Sequence, residues 1–189
     1  MTTSFEMTRA HTRRTRDWSG TSEEFGAIEV FSPKDLGPKD GTGAKVQGTV
    51  IPTALLTGFS LFGGDPRLTG AQLWVADEKV RLRRNPWAVS RERRALRLTN
   101  EGVDYRCTAV SRKKYAFTRP GLAVTVTESG FGRKRRRLTV VIDGPAEPVD
   151  ISLAVLFSRV NRSQLTLGGA FRAGFSTIFN LLADNAARS

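Results

Sequence analysis

Between residues 70 and 142 the sequence alternates apolar and polar residues in short runs that are separated by turn residues. In the run from Leu96 to Ala109, the apolar positions fall on one face and Arg97, Asp104 and Arg106 on the other. A period of two is that of a β-strand with one buried face, and closely spaced turn signals favour hairpins. The sequence therefore predicts an antiparallel meander of six or more strands.

The predicted inward faces follow the chain in order, with turns at Asp77-Glu78, at 100–102 and at 119–121. These faces consist of Leu73 and Val75, Val80 and Leu82, Leu96 and Leu98, Val103 to Ala109, Tyr115 and Phe117, Leu122 to Val126, and Leu138 to Ile142.

The pattern changes to that of a helix after Pro148. We predict a helix over about 150–162 with Asp150 as its N-cap, because Ile151 to Val160 is apolar around nearly the whole circumference. Such a helix needs protein or lipid on all sides, and it is too short to span a bilayer. The predicted fold is therefore mainly β with helices (α+β), an antiparallel β-barrel or strongly curved meander sheet around a buried apolar helix.

The remaining segments give weaker patterns. Residues 1–44 are predicted to be mostly disordered, with one tethering strand near Ile28 and Val30. The segment 46–62 fits either a strand pair or an irregular loop, within a β-rich basic domain of residues 45–163. Residues 164–189 predict an amphipathic C-terminal helix that packs on its own domain, self-associates or contacts a membrane. Its apolar stripe is formed by Phe171, Phe175, Ile178, Phe179 and Leu182.

The order of these elements resembles a known family. The strands "ALRLTNEGVDYRC", "KKYAFTRPGLAVTVTE" and "GRKRRRLTVVID", followed by "PVDISLAVLFSRVNR", are similar to the tubby-like C-terminal fold and its LURP-one-related relatives. The resemblance covers about Leu73 to Arg162 and implies a closed barrel threaded by a central apolar helix. In tubby members it also implies phosphoinositide binding through basic surface residues. A smaller, helix-capped sheet of the pleckstrin type is the alternative, since residues 1–69 offer few clear strands.

The positive charge of the chain is concentrated in Lys79 to Arg137. This segment holds 18 Lys or Arg and four acidic residues, a net charge of +14, whereas the whole chain has +12. Such a concentration indicates a surface that faces an anionic partner, since exposed charges of one sign steer and bind the opposite sign. Solvated loops that protect sheet edges from aggregation are the plain alternative. The candidate anion-binding residues are Arg91, Arg93, Arg94, Arg112, Lys113, Lys114, Arg133, Lys134, Arg135 and Arg136.

Two aromatic residues lie within the basic segment. Trp87 follows Arg83 and Arg84 and could stack on a base, enter a membrane interface or cover the core. Phe131 lies between Gly130 and Gly132, which places an apolar ring at a predicted loop tip and suits membrane insertion.

Catalytic and metal sites are not predicted. The only histidine, His11, lies in a polar N-terminal stretch, and Cys107 falls on the inward face of a strand. Neither a nucleotide-binding glycine loop nor a metal-ligand spacing occurs, so no cofactor is expected. The lone cysteine and the lack of an N-terminal apolar run indicate a cytoplasmic protein, associated at most peripherally with the inner face of the membrane.

Three functions share this electrostatic pattern. The first is a non-enzymatic module that docks on phospholipid head groups, and the second is a nucleic-acid-associated protein that uses the same basic face. The third is a structural subunit that binds an acidic protein and forms homo-oligomers through its C-terminal helix.

Overall fold

The computed structural model of this chain describes residues 2–9, 17–33, 42–60, 64–85, 88, 90–111, 113–130 and 136–166. Twelve strands in these residues form one closed antiparallel barrel, in which each strand pairs with its neighbours in sequence and the first closes on the last. The strands are β1 (Thr2–Arg9), β2 (Trp18–Ser22), β3 (Gly26–Phe31), β4 (Thr42–Gly48), β5 (Ala54–Gly58), β6 (Gln72–Val75), β7 (Glu78–Arg83), β8 (Leu96–Asn100), β9 (Val103–Ala109), β10 (Lys114–Arg119), β11 (Leu122–Ser129) and β12 (Arg137–Asp143).

Short helices accompany the barrel. Helix α1 (Arg91–Arg94) lies between β7 and β8, and helix α2 (Pro148–Leu156) follows β12. Two 3-10 turns, Phe157–Arg159 and Arg162–Leu165, continue from α2. Among the described residues, no helix is long and apolar enough to cross a bilayer.

The predicted alternation is confirmed in the strands from β6 to β12. Every residue predicted to face inward is buried except Leu82, which is partly buried, and Val103, which is exposed at the start of β9. Apolar side chains alternate into one core because successive strand residues point to opposite faces. The barrel has twelve strands, so the smaller sheet that was kept as an alternative is not the fold of this chain.

Two of the hairpins have two-residue turns with positive backbone φ. Ala76 and Asp77 join β6 to β7 with φ of 48° and 66°, and Glu101 and Gly102 join β8 to β9 with 48° and 80°. Positive φ at both positions is the type I′ geometry, whose twist matches that of the flanking strands. The first turn lies one residue before its predicted place.

The prediction that residues 1–44 are mostly disordered was wrong, whereas the strand predicted near Ile28 and Val30 is present as β3. Residues 1–44 contain β1, β2, β3 and the start of β4. Phe5 and Met7 of β1, and Ile28 and Val30 of β3, point into the core. Short alternations such as these are weak in isolation, and only the pairing of β1 with β12 gives them a buried face. The ambiguous segment 46–62 contains β5 and the end of β4, so the strand-pair interpretation holds for its described part.

Helix α2 is buried, as the sequence predicts, although its limits differ. The side chains of Ile151, Leu153 and Leu156 are fully inaccessible to solvent, and the helix packs against β4, β5 and β11. It begins at Pro148 with Glu147 as N-cap, because proline is favoured in the first turn. Asp150, the predicted N-cap, instead accepts a hydrogen bond from the Glu147 backbone N–H at 2.7 Å.

The connection from β12 to α2 passes close to the β10–β11 turn at Gly144. Gly144 has a φ of 110°, and a Cβ at this position would lie 2.2 Å from the carbonyl oxygen of Gly121 in the β10–β11 turn. Only glycine fits both the dihedral angle and the space. The connection from β12 is therefore held directly against the neighbouring hairpin before the helix begins.

Candidate anion-binding end of the barrel

The basic connections of the sequence meet at one end of the barrel. Because consecutive strands are antiparallel neighbours, their connections alternate between the two ends. The links from β7 to β8, from β9 to β10 and from β11 to β12 are every second connection, so they join strands at the same end. We call this the basic end. Its described cations in or beside these links include Arg84, Arg93, Arg94, Lys113, Lys114, Arg136 and Arg137.

The β9–β10 connection presents two exposed lysines, Lys113 and Lys114, whose backbone groups are hydrogen-bonded. Ser111 Oγ accepts hydrogen bonds from the backbone N–H groups of Lys113 and Lys114, at 3.3 and 3.1 Å. The carbonyl of Lys113 accepts from the Glu128 N–H at 2.7 Å, which ties the turn to β11. The backbone is thus anchored while both lysine side chains are exposed to solvent. Both lysines therefore present their charges from backbone groups that already have hydrogen-bond partners.

The β7–β8 connection separates its arginines. Arg93 in α1 is exposed, and its backbone N–H donates to the N-cap Ser90 at 3.3 Å. Arg94 is only 3% exposed and donates to the carbonyl of Ala88 at 3.5 Å. Successive helical residues point about 100° apart, so one arginine reaches solvent and the next packs inward. Arg94 does not belong to the solvent-facing set in which the sequence placed it.

Two further arginines of this end are engaged with neighbours. Arg136 Nη1 forms a 2.9 Å ion pair with Glu128 across the β11–β12 hairpin. Arg84 is half-buried, and this burial lowers its pKa, while its Nη2 donates to Thr69 Oγ1 at 3.5 Å. Both side chains hold the connections to the barrel as well as adding charge. The exposed Arg93, Lys113 and Lys114 are therefore the better candidates for direct contact with an anion.

Several predicted site residues fall outside the described residues. Arg91 is not among them, because the structure describes it as the first residue of α1. The residues of the predicted C-terminal helix from 167 onward lie outside the described part of the chain, as do the two aromatics of the basic segment and several of its cations. These outside residues are Trp87, Arg112, Phe131, Arg133, Lys134, Arg135, Phe171, Phe175, Ile178, Phe179 and Leu182.

The opposite end of the barrel carries negative charge. It is formed by the turns that follow β2, β4, β6, β8, β10 and β12. Exposed carboxylates concentrate there, while Arg119 at this end is paired with the buried Asp150. The two ends therefore differ in sign, which gives the barrel a charge asymmetry along its axis. The exposed carboxylates are Glu23, Glu24, Asp77, Glu78, Glu101, Asp104, Asp143 and Glu147.

Two arginines that were not predicted from the sequence fix the chain beyond α2. Arg159 forms a 3.1 Å ion pair with Asp65, and Arg162 lies with its guanidinium carbon 4.3 Å from the centre of the Tyr115 ring. Arg162 also donates to the carbonyls of Phe157 and Val160, which lie past the helix end. Cations often satisfy the free carbonyls of a helix C-terminus, and the motif "SRVNR" after an apolar helix was the available signal.

A row of arginines on the outer wall was also missed. Arg83 of β7 lies directly opposite Arg97 of β8, which lies directly opposite Arg106 of β9. All three side chains are exposed. Their alternation with inward apolar residues was visible in the sequence, but their alignment depends on the strand register. We call these three residues the arginine row.

The barrel interior does not present a reactive thiol. Cys107 is fully buried, as predicted, and burial raises the pKa of its thiol from 9.0 to about 12, with a smaller opposing effect from Arg162. Thiolates are the nucleophilic form of cysteine, so this side chain acts as a small apolar residue. Within the described ranges, no group of three His, Cys, Asp or Glu residues is arranged to hold a metal ion.

Comparisons with known proteins give no further identification. No protein-family model matches the chain, and neither curated proteins nor solved structures show a significant match.

Proposed function

We propose that this chain is a non-enzymatic module that docks its basic end on anionic phospholipid head groups as a peripheral membrane protein. The observation that carries the proposal is the charge asymmetry of the barrel, with three cationic connections at one end and exposed carboxylates at the other. An anionic surface attracts the first end and repels the second, which favours an end-on approach. In that orientation several connections meet a flat surface together.

We also infer that α2 fills the barrel interior, as the resemblance to the tubby-like fold implies. Asp150 near the helix start is bonded to Arg119 at the acidic end. Beyond the helix, the Asn161 N–H donates to the Pro66 carbonyl at 2.9 Å in the β5–β6 connection, which belongs to the basic end. A nine-residue helix that is buried along its length and runs between opposite ends supports this arrangement. The twelve-strand closure supports it as well.

Vesicle flotation tests the docking proposal. The parent protein should float with vesicles that contain phosphatidylserine and stay behind with pure phosphatidylcholine. A variant with Arg93→Ser, Lys113→Ser and Lys114→Ser should bind on the order of 100-fold more weakly, since each basic residue near an anionic surface contributes about 1 kcal/mol.

The matched control removes three charges elsewhere on the barrel. It carries Lys45→Ser, Lys79→Ser and Arg81→Ser. The three residues lie at outward positions of β4 and β7, and their replacement lowers the net charge as much as the first variant does. This control should keep nearly parental flotation. Equal weakening of both variants would show that total charge rather than the basic end governs binding. Absence of flotation by the parent would refute the membrane role.

A further inference from the structure

Beyond membrane docking, we propose that the arginine row is a second anion-binding surface, which takes the phosphate backbone of single-stranded nucleic acid. The row crosses three adjacent strands through Arg83, Arg97 and Arg106. It lies on the outer wall of the barrel, on strand residues rather than on loops. The alignment of the row is therefore set by the strand register, and Arg83 at the end of β7 lies beside the basic end.

The row is unfavourable for the isolated barrel. Directly opposed residues on adjacent strands have Cβ atoms about 4.5–5.5 Å apart, and like charges at that distance destabilise a sheet. Arg97 has an arginine on each side. No ion pair within the described part of the chain neutralises any of the three. A carboxylate on the same wall, Asp104, accepts a hydrogen bond from Thr99 Oγ1 at 2.7 Å. An external anion would remove the repulsion.

The curvature of the wall distinguishes between a membrane and a flexible polymer. The row runs across the strands, and in a closed barrel of twelve strands each step turns the wall by about a twelfth of a circle. A plane touches a convex wall along a line, so a flat bilayer would approach the central Arg97 more closely than Arg83 and Arg106. A flexible single strand can bend around the wall and keep its phosphates in contact with all three.

The chemistry of the wall predicts recognition of the backbone alone. Arginine forks bind phosphate oxygens in pairs, and a threonine hydroxyl such as that of Thr108 can donate to the same oxygens. The outward side chains of β7, β8 and β9 are Lys, Arg, Thr and Asp, so these strands offer no aromatic ring on which a base could stack. Binding should depend strongly on salt and weakly on base sequence.

Fluorescence anisotropy with a labelled oligothymidylate of about 20 nucleotides tests the proposal. Replacing Arg97 and Arg106 by serine should weaken binding roughly 20-fold at about 0.1 M salt, because each lost phosphate contact lowers the slope of log K against log salt by about 0.7. The slope itself should fall by about 1.4. Binding of the parent to oligoadenylate of equal length should agree within about twofold, since no base is read.

Matched variants separate the contribution of the row from that of total charge. Arg97→Lys with Arg106→Lys keeps the charge and should keep the salt slope. Lys45→Ser with Lys79→Ser removes two cations from β4 and from the start of β7 and should leave oligonucleotide affinity within about threefold of the parent. The serine variant of the row should unfold at an equal or higher temperature, because a repulsion has been removed.

Three results would overturn the proposal. The first is parental oligonucleotide affinity in the Arg97→Ser, Arg106→Ser variant. The second is an equal loss of flotation with phosphatidylserine vesicles, which would assign the row to the membrane-docking surface. The third is that the parent protein binds polyglutamate as tightly as it binds the oligonucleotide at the same salt concentration. This result would point to an acidic protein as the partner. If the parent protein does not float with vesicles but binds the oligonucleotide through the row, the membrane proposal fails and the assignment of the row stands.

Discussion

Arg119 donates two hydrogen bonds to Asp150, from Nε to Oδ1 at 3.0 Å and from Nη2 to Oδ2 at 2.8 Å. Arg119 ends β10, and Asp150 lies in the first turn of α2, where its side chain is fully buried. The same guanidinium donates to the Pro145 carbonyl at 3.1 Å. The hydrogen bonds to Asp150 are the main cause of a raised pKa at Arg119. One arginine thus fixes the beginning of the buried helix against the sheet.

Replacing Arg119 by methionine should lower the free energy of unfolding by about 3–5 kcal/mol, because it leaves the Asp150 carboxylate buried without its cation. Urea denaturation followed by circular dichroism measures the change. Arg137→Met is the control. Both side chains of the Arg137–Glu6 ion pair are exposed, so this pair should contribute less than about 1 kcal/mol. Equal effects of the two substitutions would contradict the structural role of the buried pair.

The second prediction concerns the core of α2. Leu153→Ala should cost about 2–5 kcal/mol of stability, since the side chain is fully buried and its removal leaves a cavity. Val50, which is 53% exposed in the β4–β5 connection, provides a contrast, and Val50→Ala should change stability by less than about 0.5 kcal/mol. The same denaturation assay checks both. A tolerated Leu153→Ala would mean that the helix does not form part of the core.

The regular part of the fold was predictable because local pattern and tertiary environment agree there. From β6 to β12 the alternation is unbroken and the turns carry clear signals, as in Tyr115 and Phe117 of β10 followed by Pro120 and Gly121. In β1 only Phe5 and Met7 face inward among polar residues, and the partner strand is more than 130 residues away. A contact of that sequence separation leaves no local signal, so β1 was missed, together with β2, which pairs with it.

The candidate site was predictable in charge but not in arrangement. The sequence locates the cations, and the strand topology brings their connections to one end. Neither the burial of Arg94 nor the alignment of Arg97 with Arg83 follows from composition, because both depend on rotation about a helix and on strand register. Surface arginines therefore separate into exposed, ion-paired and buried groups only once the tertiary structure is known.

The third prediction follows from the buried thiol. The pKa of Cys107 is raised to about 12 in the folded chain, so the folded state holds this proton while the unfolded state releases it above its ordinary value of 9.0. Its contribution to stability is complete below pH 9.0 and is lost as the pH rises toward about 12. In this range the titration of the thiol should lower the free energy of unfolding by up to about 1.4 kcal/mol for each pH unit.

Denaturation at a series of pH values from 8 to 10 measures this slope. Cys107→Ala should flatten the decline in stability above pH 9.0, even though it lowers stability at neutral pH by leaving a small cavity. Alkylation of the thiol by iodoacetamide should also be slow in native buffer and fast in urea, since only the thiolate reacts. Rapid native alkylation would show that the side chain is accessible.

The last prediction separates lipid from nucleic acid at the basic end and concerns the sequence "GFGRKRRR" between β11 and β12. Arg133→Ser with Arg135→Ser should weaken binding to both phosphatidylserine vesicles and oligonucleotides at low salt. The unfolding temperature should change little, because the sequence predicts a loop here and the charges of solvated loops contribute little to folding. Phe131→Ser should weaken vesicle binding alone, since only the bilayer offers an apolar destination for a loop ring. Flotation and anisotropy on the same preparations measure both effects. If the Phe131→Ser variant floats as the parent does, the membrane contact is electrostatic alone. If the double arginine variant binds both ligands as tightly as the parent, this connection is not part of the anion-binding surface.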